Sequence, residues 1–149
     1  MINLPDFSKA FEYENNFFMS CDHSRIGKII SHYELYKMSR KISGEIVECG
    51  VFKGISILRF AAFKNLIDKK SSKKIIGFDS FGKFPHTDFD LDKSMRDNFV
   101  KNAGSHSISV EQLTKLFNNK GIKDSFEFIK GDITKTVPEY INLNPDLKI

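Results

Sequence analysis

Three carboxylates stand where a sheet-borne site would use them. Glu48 sits in "EIVEC" two residues before a glycine, Asp79 closes "KKIIGFD", and Asp132 follows "SFEFIKG". Each belongs to a short run rich in β-branched or aromatic residues and bounded by turn residues, which is the pattern of a buried strand. In open α/β sheets, ligands bind beyond the carboxyl ends of the strands. One acid at such an end is a routine cap, whereas three in register suggest a ligand with several donors to satisfy.

The glycine turn after Glu48 narrows the choice. Gly50 permits a tight turn, Gly54 permits close approach to a ligand or to the sheet, and the helix that follows offers free N–H groups to an anion. A phosphate loop would need Gly-Lys-Ser/Thr, but Gly54 is followed by Ile55 and Ser56. A dinucleotide fingerprint would need a glycine where Phe52 stands, and an acid nearer than Asp79. Glu48 would also repel a pyrophosphate, so an NAD-dependent oxidoreductase is the disfavoured alternative.

The same carboxylate suits a cation. S-adenosylmethionine (SAM) carries an ammonium and a sulfonium beside a ribose diol and an adenine amine, and its groups match the strand ends by donor and acceptor. Glu48 would take the ammonium, and the backbone of Gly50, Val51 and Gly54 with the Ser56 hydroxyl would take the carboxylate. Asp79, with Ser80 beside it, would take the ribose hydroxyls, and Asp132, flanked by Gly131 and Ile133, the adenine amine. For a general base the candidates are His86 and His106, in the long polar stretch 80–107. Cys49 has no base at readable spacing, and "DFDLD" (88–92) reads as a solvated acidic stretch.

These residues need elements to hold them. Residues 1–24 read as an irregular arm that packs Phe7, Phe11, Phe17 and Phe18 on something larger. An amphipathic helix runs over 25–41 and closes near Ser43 and Gly44. "EIVEC", "KKIIGFD" and "SFEFIKGD" are strands, "GISILRFAAFKNLID" is a helix buried against the sheet, and Ser109 with Gln112 caps a helix ended by Gly121. "TKTVPEYINL" is a short helix around Pro138, and the final "LKI" is the start of a fourth strand. Strands alternating with helices call for parallel βαβ units in an α/β sheet.

Composition sets outer limits. The chain has 149 residues, 40% of them hydrophobic, and a formal charge of +4, which suits one domain with a core. The lysines are interleaved with acids, and the "KKSSKK" run (69–74) reads as a solvated loop, so no nucleic-acid partner is expected. Two well-separated cysteines and no metal-ligand spacing argue against a disulfide framework or zinc site. With no long apolar segment and no leader pattern, a cytoplasmic protein without a membrane partner is expected.

"VECGVFKGIS", "IIGFDSFGKFP" and "IKGDITKTVPEY", in this order and spacing, resemble the macrocin O-methyltransferase family from about Ser24 to Ile149. The resemblance implies a Rossmann-like class I methyltransferase fold, here the N-terminal half of a doubly wound, mostly parallel sheet with a helical N-terminal extension. It implies SAM as cofactor and a sugar or nucleotide-sugar acceptor, with residues 82–107 as a mobile lid. It also implies a divalent metal, magnesium, bound by an Asp-containing segment after the fourth strand, so no metal ligand is expected within these residues. A sheet ordered 3-2-1 that stops at Ile149 leaves "EIVEC", expected to be the most buried strand, as an open edge. The expectation is then a shortened gene product or a fragment stabilised as a homodimer along that edge, with little activity of its own. A non-catalytic SAM-binding or dimerisation module is the other reading.

Overall fold

A computed structural model describes residues 2–123 and 125–149. Its centre is a sheet of three parallel strands, β1 (Ile46–Cys49), β2 (Ile75–Asp79) and β3 (Phe126–Lys130), in the order β1-β2-β3. Parallel strands need long crossovers. The first is made by a helix over Ile55–Ile67, the second by helices over Asp90–Ala103 and Val110–Asn119. Numbered in chain order after α1 (Ala10–Ser20) and α2 (His23–Ser39), these are α3, α4 and α5, and α6 (Ile133–Leu143) follows β3.

β2 is buried along its whole length because it is covered on both faces. On one face Ile75 meets Ile57 and Ala61 of α3 and Leu113 and Phe117 of α5, all buried in one cluster. Gly77 lets these layers close up, since a methyl there would lie 2.8 Å from Ile57 Cδ1. On the other face Phe78 meets Tyr140 of α6 edge-on, and the Tyr140 hydroxyl donates to Glu127 of β3 at 2.8 Å. Two right-handed crossovers made in the same direction put α3 and α5 on one side, and α6 begins the other layer. α2 packs outside α3, where Phe63 meets both Tyr33 and Tyr36.

The two crossover helices owe their limits to local chemistry. Gly54, at φ 78°, is the N-cap residue of α3. At the start of α5 the capping box forms as read: the Gln112 N–H donates to Ser109 Oγ, the Ser109 N–H to Gln112 Oε1, both at 3.2 Å. Gln112 Nε2 also donates to Ile2 O at 2.6 Å, tying the N-terminal residues to the body.

Four expectations need correction. Residues 10–20 are helical rather than irregular, with no Gly or Pro to interrupt them. Phe11, 76% exposed, and Phe18, 60% exposed, are not docked, while Phe17 is half-buried and edge-on to Phe18; Ile2 and Leu4 pack on the core. Residues 82–107 are not a structureless loop, since α4 fills their middle, with Asp90 and Asp92 at its positive end. β2 is the most buried strand, while β1 is half-buried and ends in an exposed Cys49, because β1 pairs on one side alone. Finally, "LKI" adds no strand, although Lys148 O accepts the Glu45 N–H at 2.7 Å beside β1.

Among the described residues no helix is long and apolar enough to cross a membrane. Nor do three His, Cys, Asp or Glu side chains cluster there in a way that could hold a metal ion.

Candidate functional site

The carboxyl ends of all three strands open on one cavity of about 590 Å³. Gly50, Asp79, Ser80, Gly131, Asp132 and Ile133 line it, joined by Phe52, Phe84, Pro85, Phe99 and Ser107. Gly50 has φ 89°, and a methyl on it would meet nothing within 4 Å, so the turn leaves open space above the strand.

Asp79 organises the floor. Its Oδ2 accepts the Phe52 N–H at 2.9 Å and its Oδ1 the Phe81 N–H at 2.8 Å. Phe52 and Phe81, at φ 50° and 45°, are the non-glycine residues with positive φ among the described residues. Such conformations cost about 1 kcal/mol or more each and persist only where the surroundings hold them. One carboxylate therefore fixes two strained turns; Oδ1 also accepts from Ser80 Oγ at 3.2 Å, so it is Oδ2 that keeps a further lone pair for a ligand. The Phe52 turn also anchors the next segment, as Phe52 O accepts the Ile108 N–H at 2.8 Å.

Glu48 does not line the cavity and is built differently. Ser56 Oγ donates to its Oε1, while its Oε2 is buried with no protein donor. Burial pushes the carboxyl above its ordinary 4.5; the Ser56 hydrogen bond opposes this and the Asp79 charge adds to it. A buried carboxylate oxygen without a donor is costly in the ligand-free chain, and a cationic donor offsets that cost.

Asp132 is the N-cap of α6, where its Oδ1 accepts from the Thr134 N–H at 3.0 Å and from Thr134 Oγ1 at 2.8 Å. Those bonds hold its carboxyl below the ordinary 3.8, first through the Thr134 hydroxyl and then through the Thr134 backbone. It is thus a charged acceptor at the cavity rim at any pH near neutral.

Comparisons with known proteins place the chain in a family. The sequence profile of the macrocin-O-methyltransferase family (TylF) matches residues 25–144. The chain belongs to the macrocin-O-methyltransferase family. Among solved structures it is similar to CalS11, described as a TDP-rhamnose 3′-O-methyltransferase of calicheamicin biosynthesis. In its apo form the identity is 22% and the TM-score 0.59, covering 93% of this chain and 54% of that one. In a second CalS11 structure the values are 23% and 0.64, covering 97% of this chain and 58% of that one. The O-methyltransferase NovP aligns at 16% identity and TM-score 0.60, over 72% of this chain and 46% of its own. At these identities the likeness is one of fold, and the chain spans just over half the length of CalS11. A comparison with curated proteins finds no match.

Within this macrocin-O-methyltransferase chain the residues read from sequence divide by position. The Val51 side chain is buried in the core cluster, while Phe52, one residue on, faces the cavity. Gly54 is not in the cavity lining; a methyl there would lie 2.8 Å from Leu113 Cδ1, so its close neighbour is α5. The Ser56 hydroxyl serves Glu48 rather than standing free for a ligand carboxylate. His86 and His106 are exposed and do not line the cavity. Of the two, His106 is used through its backbone, in a bridge to Lys83 and as acceptor for Lys53 Nζ at 2.6 Å. Phe84, Phe99 and Ser107 were missed; the one sequence signal for them was their place in the long segment after β2.

Proposed function

We propose that this chain is the donor-binding part of a SAM-dependent O-methyltransferase whose acceptor is a sugar or nucleotide-sugar hydroxyl. The observation that carries this reading is the buried, donorless Oε2 of Glu48 beside an open glycine turn. That oxygen is matched by an ammonium and mismatched by a phosphate. The donor set fits the group: Glu48 would accept from the ammonium, Asp79 from a ribose hydroxyl through the remaining lone pair of Oδ2, and Asp132 from the adenine amine. Gly50, Ser80, Gly131 and Ile133 would supply backbone and contact around it.

When bound, SAM supplies a methyl group activated by a sulfonium leaving group. The chain's own part is to hold the donor in place and to keep water from the reacting end, since alignment accounts for much of the rate in such transfers. The apolar wall of Phe52, Phe84 and Phe99 serves the second task. Neither His86 nor His106 lines the cavity, so proton removal from the acceptor is not assigned to them. Residues 1–149 are accordingly proposed to bind the donor and, by themselves, to turn over little sugar. A requirement for magnesium in the longer family form, with no metal ligand from these residues, a cytoplasmic location and a homodimer belong to the same reading.

Thermal-shift titration tests it. SAM and S-adenosylhomocysteine (SAH) are expected to raise the melting temperature of residues 1–149, and NAD is not. Stabilisation by NAD alone would overturn the reading.

A further inference from the structure

The rings of Phe52, Phe84 and Phe99 come from three separate segments, the turn before α3, the loop after β2 and α4, and meet at the cavity. Their centroids lie 6.0 Å apart for Phe52 and Phe84, 5.3 Å for Phe52 and Phe99, and 5.3 Å for Phe84 and Phe99. Phe99 remains 44% exposed, so this trio is not an ordinary closed core. The charge lining the cavity is one-sided. In a chain of net charge +4, the cavity is lined by the carboxylates of Asp79 and Asp132 and by no Lys or Arg among the described residues. Glu48 lies outside that lining, where Ser56 holds it.

An acid-rimmed cavity walled by aromatic faces selects for positive charge, because each ring presents a negative face that attracts a desolvated cation. Phe52 already behaves so on one side, where Lys53 Nζ lies 4.8 Å from its centroid while donating to His106 O. We propose that Phe84 and Phe99, with Phe52 behind them, form an onium subsite that favours a sulfonium over the neutral thioether of the spent donor. The proposal rests on the donor-binding reading above and adds to it the element that tells donor from product. The carboxylates cannot make that distinction, since SAM and SAH share the ammonium, the ribose and the adenine. They differ in one methyl group and its positive charge.

The test is calorimetric titration of residues 1–149 with SAM and with SAH, for the native chain and for Phe84→Leu and Phe99→Leu. Leucine keeps apolar contact and removes the ring face. In the native chain SAM should bind roughly threefold to tenfold more tightly than SAH, the range of one or two cation–π contacts. Each substitution should bring the ratio of dissociation constants toward one while the affinity for SAH stays within about twofold. A parallel loss of both ligands in either variant would make the wall a stacking surface for the shared nucleoside and overturn the proposal, as would an unchanged ratio in both. If one variant fails to fold by circular dichroism, the other decides. If the native chain binds neither ligand, the donor-binding reading itself fails, an outcome distinct from either pattern in the variants.

Discussion

Glu48 and Asp79 are both carboxylates at strand ends, yet they stabilise different states. Burial raises Glu48 above its ordinary 4.5, so the folded chain holds that proton more tightly than the unfolded one. Its contribution to stability is therefore fully present below 4.5 and lost as pH rises through the raised value. Binding of a cation runs the other way, because it needs the carboxylate: affinity for SAH should climb across the same window, with proton release measurable by titration in buffers of different ionisation enthalpy. Glu48→Gln keeps an acceptor for Ser56 and removes the buried charge. It should raise the melting temperature of the ligand-free chain by roughly 3 °C and weaken SAH at least tenfold, the scale of a lost charge-assisted hydrogen bond. Asp79→Asn should do the reverse to stability. An amide can accept only through one atom, so one of the Phe52 and Phe81 N–H groups loses its partner, at a cost of about 1–3 kcal/mol by urea denaturation. A loss of binding with unchanged stability would show that the carboxylate does not hold those turns. The sequence pointed to both acids because a carboxylate at a strand end is visible in one dimension. It did not reveal that Phe52 faces the cavity and Val51 the core, since a left-handed phenylalanine depends on an acceptor 27 residues away.

At the scale of elements, the legible parts are those whose own residues fix them. β2 is a short apolar run between polar ones, and α5 carries its start signal in Ser109 and Gln112 and its stop in Gly121, at φ 73°. Ser109→Ala should cost about 1 kcal/mol, as the loss of an N-cap does, measurable as a lower urea midpoint with an unchanged slope. α1 and α4 were not legible because none of their residues is buried, so no core-facing periodicity marks them as helices. Gly54 shows where local signal misleads. A glycine in a ligand-binding turn invites a ligand-based reason, but this one is set by φ 78° and by Leu113 across the helix interface. Gly54→Ala must adopt a left-handed backbone and push Leu113 aside, so a loss of about 2 kcal/mol or more in urea denaturation is expected. SAH affinity of the folded fraction should change less than about twofold. A large loss of affinity without loss of stability would return Gly54 to the ligand.

For the whole molecule the decisive feature is the open edge of β1. The strand order agrees with the sequence reading; the burial of β1 does not, because an edge strand is covered on fewer sides than a central one. Ile46 N–H and Gly50 N–H donate to Lys74 O and Phe78 O of the β2 side at 3.0 and 2.8 Å, and Glu45 N–H points away, to Lys148 O at 2.7 Å. Alternation along a parallel strand then directs the Val47 and Cys49 N–H groups to the open side. Unpaired N–H groups on a β-branched edge are a template for another strand, so the purified chain is expected to self-associate, with light-scattering mass rising as its concentration is raised. Hydrogen exchange should locate the contact, with Val47 and Cys49 amides gaining protection with concentration while Ile46 and Gly50 stay protected throughout. Val47→Pro removes one outward donor and leaves the bonds to β2 in place, a substitution that edge strands tolerate. It should hold the mass at one chain and leave SAH binding within about twofold, because the cavity lies at the strand ends and not along the edge. Self-association that survives Val47→Pro would move the contact away from β1, and the exposed Phe11, Phe18 and Met19 of α1 would become the surface to test.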